Sequence, residues 1–298
     1  MTEHGHNQRS PERMFELILS IAQADERIRG VYLNGSRANP TVSPDAYQDF
    51  DVVFVVKETL PFIHDKRWIE QFGDLAIVQE PDRMDLDLGK AGIDVTKQYA
   101  WLMLFKDGNR IDLTLVNCEV SIQHLLSDRL SVVLLDKDQR FPILPTPSDV
   151  EFHVKRPSPM EFSACSNEFW WCLNNVGKGL ARRELVYAQA MFSEVVRPML
   201  NRLVEWWIGT RTDFSANPGK YGKFYANLLP PPIYKQLLST YSDCELTSMW
   251  DAVFNACQLF ENLSDEVAET LGFQRNQTEA TNSLAYLKWI YTTTGAQK

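Results

Sequence analysis

Gly35-Ser36, then twelve residues, then Asp49-Phe50-Asp51 opening the apolar run Val52-Val53-Phe54-Val55-Val56, is the stretch that decides how this chain folds. Side chains alternate faces along an extended strand, so Asp49 and Asp51 point the same way, ~6–7 Å apart, while Phe50 and Val52 point into the protein. Two carboxylates on one face can share a hard divalent cation. The arrangement suits Mg2+, which takes one or two carboxylates together with phosphate oxygens and retained water. Gly30-Val31-Tyr32-Leu33-Asn34 reads as the preceding strand, which places Gly35-Ser36 at its end, where a bare backbone can approach a phosphate. Taken alone, an Asp-x-Asp pair is equally at home on a solvated strand end or in a turn. The Gly-Ser placement and the apolar strand behind the pair point instead to a metal and nucleotide site.

A third carboxylate lies in Asn109-Arg110-Ile111-Asp112-Leu113-Thr114-Leu115-Val116, where Ile111, Leu113 and Leu115 alternate with Asp112, Thr114 and Val116. That is the period of a half-buried strand. Its partner is Tyr99-Ala100-Trp101-Leu102-Met103-Leu104-Phe105, joined through the turn residues Lys106-Asp107-Gly108-Asn109. Asp112 is thus expected on a strand beside the one that carries Asp49 and Asp51. Three clustered carboxylates repel one another unless a cation sits among them.

The chain has 298 residues, 44% of them hydrophobic, enough to bury a substantial core and to form two domains of ordinary size. Its net charge of −9, from 39 acidic and 30 basic side chains, argues against a nucleic-acid partner that would need its phosphates neutralised. No stretch of eighteen apolar residues suggests a membrane span. Met1 to Ser10 is polar, with His4 and His6 in what reads as a disordered tail, neither a signal peptide nor an anchor. Five cysteines without C-x-x-C spacing argue against zinc and against a secreted disulfide scaffold, so a cytoplasmic protein is expected. Between Glu80 and Asp94 sit five acids against Arg83 and Lys90. That segment reads either as a receiver for a polycationic substrate, with Glu80 its first carboxylate, or as a solvated loop.

Ser10-Pro11-Glu12 opens an amphipathic helix carrying Met14, Leu17, Ile18 and Ile21, and strand-like runs continue to Val132-Val133-Leu134-Leu135. Pro142, Pro145, Pro147, Pro157 and Pro159 then mark a linker. Ser158-Pro159-Met160-Glu161 has the serine cap, the proline at the first helical position and the glutamate three beyond the cap that start a helix. The remaining periodicity is helical, with a kink or break expected at Pro198. The expected architecture is α+β: a mixed-sheet domain over residues 1–155 and a helical domain over 156–298. Within the helical half, Phe169-Trp170-Trp171 and Trp206-Trp207 read as core or as substrate platforms. Lys178 and Arg182, four apart, share a face where two cations can meet a triphosphate. Gly219-Lys220-Tyr221-Gly222 adds Lys220 beside glycines, or is a surface turn.

The chain resembles the aminoglycoside 6-adenylyltransferases, the streptomycin-modifying branch of the nucleotidyltransferase superfamily. The resemblance is carried by Gly35-Ser36-Arg37, Gln48-Asp49-Phe50-Asp51, Asp112-Leu113-Thr114-Leu115, Lys155-Arg156-Pro157, Asn167-Glu168-Phe169-Trp170, Lys178-Gly179-Leu180-Ala181-Arg182 and Val196-Arg197-Pro198, in order along the chain. It implies an N-terminal nucleotidyltransferase domain, a C-terminal helical acceptor-binding domain, and ATP with Mg2+ in the cleft between them. Carried over, Asp49, Asp51 and Asp112 are metal ligands, with Asp112 or Glu184 the base for the attacking hydroxyl. Gly35, Ser36 and Arg37 meet the phosphates, joined by Lys178, Arg182 and Lys220. The cationic aminoglycoside is held by acids such as Glu80 and Glu184 and by the faces of Trp170 and Trp171. One departure is Asn34, where the family often carries an acid; it bears on substrate preference. Two other readings stay open: a nucleotidyltransferase acting on another antibiotic or a protein hydroxyl, and a non-catalytic binder that kept the fold. A monomer or weak dimer is expected.

Overall fold

The computed structural model describes residues 8–294; residues 1–7 and 295–298, with His4 and His6 among them, lie outside it. The chain divides into two compact units, the first ending at Glu151 and the second beginning at Phe152. The fold is α+β, with a mixed sheet in the first unit and a helical second unit.

The first unit runs α1 (Pro11–Ala24), β1 (Ile28–Leu33), β2 (Phe50–Val56), α2 (Leu60–His64), β3 (Leu75–Gln79), α3 (Pro81–Asp87), β4 (Gln98–Phe105), β5 (Arg110–Asn117), α4 (Ser121–Leu126) and β6 (Val132–Asp136). Its six strands lie in the order β3-β4-β5-β2-β1-β6. β2 and β5 pair in parallel at the centre, and the other neighbours are antiparallel. The unbroken apolar run from Val52 to Val56 of β2 explains its central place, because both of its faces are covered. Phe50, Val52, Phe54 and Val56 pack into one cluster with Met14 and Ile18 of α1, while Val53 and Val55 pack into another with Tyr32 and Leu125. Ser10 caps α1, its hydroxyl accepting from the Arg13 amide, ahead of Pro11.

The second unit runs α5 (Pro159–Ala181), α6 (Leu185–Met191), α7 (Arg197–Arg211), α8 (Tyr225–Leu228), α9 (Pro231–Leu238), α10 (Leu246–Leu271) and α11 (Gln277–Thr293). The Ser158/Glu161 capping box forms in full at the start of α5, where the sequence signature placed it. Phe169 stacks on Phe260 of α10 at 3.7 Å between ring centroids, and Gly177 lets α11 approach so closely that an added Cβ would lie 2.7 Å from Leu287. Pro198 has no N–H to give the preceding turn, and the chain absorbs this as a π turn over Phe192–Val196 between α6 and α7. The break is therefore a widened turn rather than an end. All five cysteines are free thiols. Among the described residues no helix is long and apolar enough to cross a membrane.

Arg197, 8% exposed, follows that turn. Its Nη1 donates to Thr240 Oγ1 at 3.0 Å and its Nη2 to the Thr240 carbonyl at 2.7 Å, with the guanidinium 3.6 Å from the Tyr241 ring centroid. Arg197→Ala removes both bonds and the stacking and leaves a buried carbonyl unpaired. The expected loss is about 2–4 kcal/mol. It is read as a lower urea midpoint at unchanged slope, and a midpoint equal to that of the parent protein would contradict it.

Candidate active site

The sheet brings Asp49, Asp51 and Asp112 together through register. Asp51 pairs directly with Asp112 across the parallel β2/β5 ladder, and in-register partners on adjacent strands present their side chains to the same face. Asp49 precedes β2 by one residue and falls on that face too. β1 ends at Leu33, and Gly35–Arg37 turns tightly against the start of β2, where the Asn34 amide donates to the Asp51 carbonyl at 2.9 Å. Gly35 has φ +70°, and an added Cβ would lie 2.1 Å from Asp51 Oδ2. The glycine is thus required twice, for its backbone conformation and for the carboxylate lying on it.

Burial pushes the Asp51 carboxyl up to about 6, helped by the negative charges of Asp112 and Asp49 and opposed by Arg110 and Arg37. Asp49 is raised as well, first by burial, with Arg110 lowering it and Asp112 raising it. Among the described residues no three His, Cys, Asp or Glu side chains form a closed ligand set. Arg110 stands among the carboxylates, its Nε and Nη2 donating to the two oxygens of Asp112, each at 2.7 Å, while Nη1 stands 3.6 Å from Asp49 Oδ2. Sequence reasoning assigned Arg110 nothing. The signal was available, since residue 110 is two before Asp112 and shares its face.

Arg37 is drawn into the framework of the turn. Its guanidinium donates to the Asp49 carbonyl at 3.0 Å and the Gln48 carbonyl at 2.8 Å and lies 3.8 Å from the Phe50 ring centroid. It fixes the approach to β2 and adds positive charge near Asp49 and Asp51. Asn34 is occupied too, its side-chain oxygen accepting from Ser131 Oγ at 3.2 Å. Ser36 is half-buried on the same turn.

Glu80 stands just past the end of β3, at the start of α3. It accepts from the hydroxyl of Tyr99, whose register partner is Leu115, three residues along β5 from Asp112. The other acids of its segment are engaged locally. Asp82 accepts from the Ala100 amide, Asp85 pairs with Lys90, Asp87 with Arg83 and Asp94 with Lys97. The segment thus carries α3 and pairs most of its acids within itself.

In the helical unit a pocket of about 370 Å3 is lined by Asn167, Trp171, Asn174 and Lys178 of α5 and by Glu279 and Tyr286 of α11. The α5 residues follow the spacing of one helix stripe. The two tryptophans divide the roles left open from the sequence. Trp170 is 2% exposed and belongs to the core, whereas Trp171 is 68% exposed and shows its face at the pocket. Trp170 also lines the pocket, and its Nε1 finds no acceptor among the described residues. Asn167 donates to Glu279 Oε1 at 3.1 Å across the two helices. Lys178 sits in this pocket, whereas Arg182 caps the end of α5 and stands 4.0 Å from Glu184. Lys220 lies in a separate turn, 5.4 Å from the Tyr221 ring centroid.

The model of the streptomycin adenylyltransferase family matches residues 8–290. The chain is 37% identical over 266 residues to an aminoglycoside 6-adenylyltransferase of Campylobacter jejuni, spanning 89% of this chain and 91% of that protein. It is 37% identical over 267 residues to the aminoglycoside 6-adenylyltransferase of Bacillus subtilis, spanning 89% and 93%. A crystal structure of an aminoglycoside 6-adenyltransferase from Bacillus subtilis matches over 95% of this chain and 99% of that one, at 32% identity and a TM-score of 0.46.

Proposed function

The chain belongs to the streptomycin adenylyltransferase family, and from that premise we propose that it transfers the AMP of ATP to an aminoglycoside hydroxyl with release of pyrophosphate. Streptomycin, at its 6-hydroxyl, is the acceptor this reading favours. The observation that carries the proposal is the in-register pairing of Asp51 with Asp112, beside Asp49 and against the bare backbone of Gly35.

The donor set fits Mg2+. Asp49 and Asp51 would hold it, with Asp112 the third carboxylate, and the half-buried Asp51 is crowded by two like charges that a hard cation would offset. When bound, the ion supplies positive charge to the phosphate oxygens. The chain's own groups do the rest. Gly35 and Ser36 would meet the phosphates, and Arg37 holds the turn that presents them. Arg182 remains a cationic candidate for the triphosphate, whereas Lys178 lines the α5/α11 pocket. The acceptor proton goes to Asp112 or Glu184, and the Arg110 fork engages both oxygens of Asp112. In-line attack at the α-phosphorus then depends on positioning, a large share of catalysis in such transfers.

The pocket on α5 and α11 suits a cationic, hydroxyl-rich drug. Glu279 and the amides of Asn167 and Asn174 can meet guanidinium and hydroxyl groups, and the open face of Trp171 can stack on a guanidinium. Trp171→Ala is expected to raise the KM for the drug about tenfold while leaving the KM for ATP unchanged. An equal rise in both would remove Trp171 from the acceptor site. The function itself is tested by pyrophosphate release from ATP and Mg2+ with streptomycin, run beside spectinomycin and kanamycin, followed by the mass of the drug. Addition of one AMP to streptomycin alone supports the proposal. Release with another of the three, or with none, moves the acceptor elsewhere.

A further inference from the structure

We propose that Arg110 is a built-in counter-cation, holding the carboxylate cluster while no divalent ion is bound and competing with that ion for Asp112. The inference rests on the Mg2+ reading of this site. Three carboxylates face one side of the β2/β5 pair, and among the described residues one guanidinium, that of Arg110, forks onto them. Arg110 forks onto both oxygens of Asp112 at 2.7 Å, so an ion approaching Asp112 meets a guanidinium charge already paired with that carboxylate. The same guanidinium reaches toward Asp49, with Nη1 3.6 Å from Oδ2. Because residues 110 and 112 are two apart on β5, they share a face and the pairing is local in sequence. The arginine side chain is 41% exposed, so it has open space to swing into once displaced.

The competition has a definite sign. A bidentate guanidinium–carboxylate pair is among the stronger charge-assisted contacts, and its positive charge opposes a second cation at the same carboxylate. Removing the guanidinium therefore exposes the metal-free cluster to its own repulsion and removes the competitor. A residue that merely supported the strand would weaken both the fold and metal binding.

The test is a titration of the nucleotide-free protein with Mn2+ alone, followed by electron paramagnetic resonance, together with thermal melts without metal. Arg110→Met is expected to lower the metal-free Tm by a few degrees and to tighten Mn2+ binding about tenfold, the equivalent of one strong charge-assisted contact. Arg110→Lys keeps a point charge without the fork and is expected to fall between the two. It carries the comparison if Arg110→Met does not fold. Unchanged or weaker Mn2+ binding in the variants, with the parent protein binding normally, overturns the counter-cation role and leaves the metal site standing. Failure of the parent and both variants to bind Mn2+ overturns both readings.

Discussion

Asp51→Asn is expected to abolish adenylyl transfer while making the metal-free protein more stable. The two effects have one cause. The fold places the Asp51 carboxyl in a half-buried position beside two like charges and pushes it from 3.8 up to about 6. Below the unfolded value the group is protonated in both states and carries no penalty. Between about 4 and 6 the folded state holds the proton more tightly than the unfolded chain, so stability falls as pH rises through this window. Above about 6 the carboxylate is ionised in both states and the fold bears the full penalty, on the order of 2–3 kcal/mol. Asparagine keeps the shape and removes the charge, so the variant should melt higher at neutral pH and lose the decline between pH 4 and 6. The same loss of charge should lower kcat by about three orders of magnitude, because a metal ligand supplies several kcal/mol to the transition state. Melting curves from pH 4 to 8 beside pyrophosphate release are the measurement. A variant that is less stable at every pH, or that keeps a tenth of the activity, would refute the assignment of Asp51.

Gly35→Ala is expected to lose both stability and activity. The added methyl would stand 2.1 Å from Asp51 Oδ2 and 2.7 Å from its Cγ, on a residue with φ +70°. The backbone conformation alone costs an alanine about 1 kcal/mol. Displacing the carboxylate toward Asp112 or Asp49 raises the expected loss to roughly 2–4 kcal/mol, with a fall in kcat of about a hundredfold or more. The double variant Gly35→Ala/Asp51→Ala separates the two contributions. With the carboxylate gone, the methyl has room, and the extra destabilisation caused by Gly35→Ala should shrink to the backbone cost. A purely additive pair would mean that the contact between Gly35 and Asp51 carries no strain.

The contrast between these variants shows why the site was partly legible in the sequence. Gly35 and Asp51 are sixteen residues apart, yet each is marked by its own neighbours: the glycine by the end of a strand, and the aspartate by alternation with Phe50 and Val52. Alternation also put Asp112 on a half-buried strand. Arg110 has the same spacing from Asp112 that Asp49 has from Asp51, but only the folded strand shows whether a long side chain lies on its neighbour or reaches into solvent. The helical half was harder to read. The Ser158-Pro159-Met160-Glu161 start was plain, because a cap is a local device. The division of labour between Trp170 and Trp171 was not, since adjacent helix positions differ by about 100° and the core side depends on which helices pack there.

By itself, then, the sequence determined whatever a local pattern can enforce: the strands with their apolar alternation, the capped helices, the turn at Pro198, and the face on which each carboxylate stands relative to its own strand. The tertiary structure alone decided the pairing of Asp51 with Asp112, the seating of the Arg110 fork, the local engagement of Glu80 with Tyr99, and the pocket lined by α5 and α11. The physical reason is register. A slip of one residue between β2 and β5 would leave every strand's own pattern intact while sending Asp112 to the opposite face of the sheet. Only burial of the apolar residues on both faces of β2 and β5 holds the pairing that gathers the carboxylates.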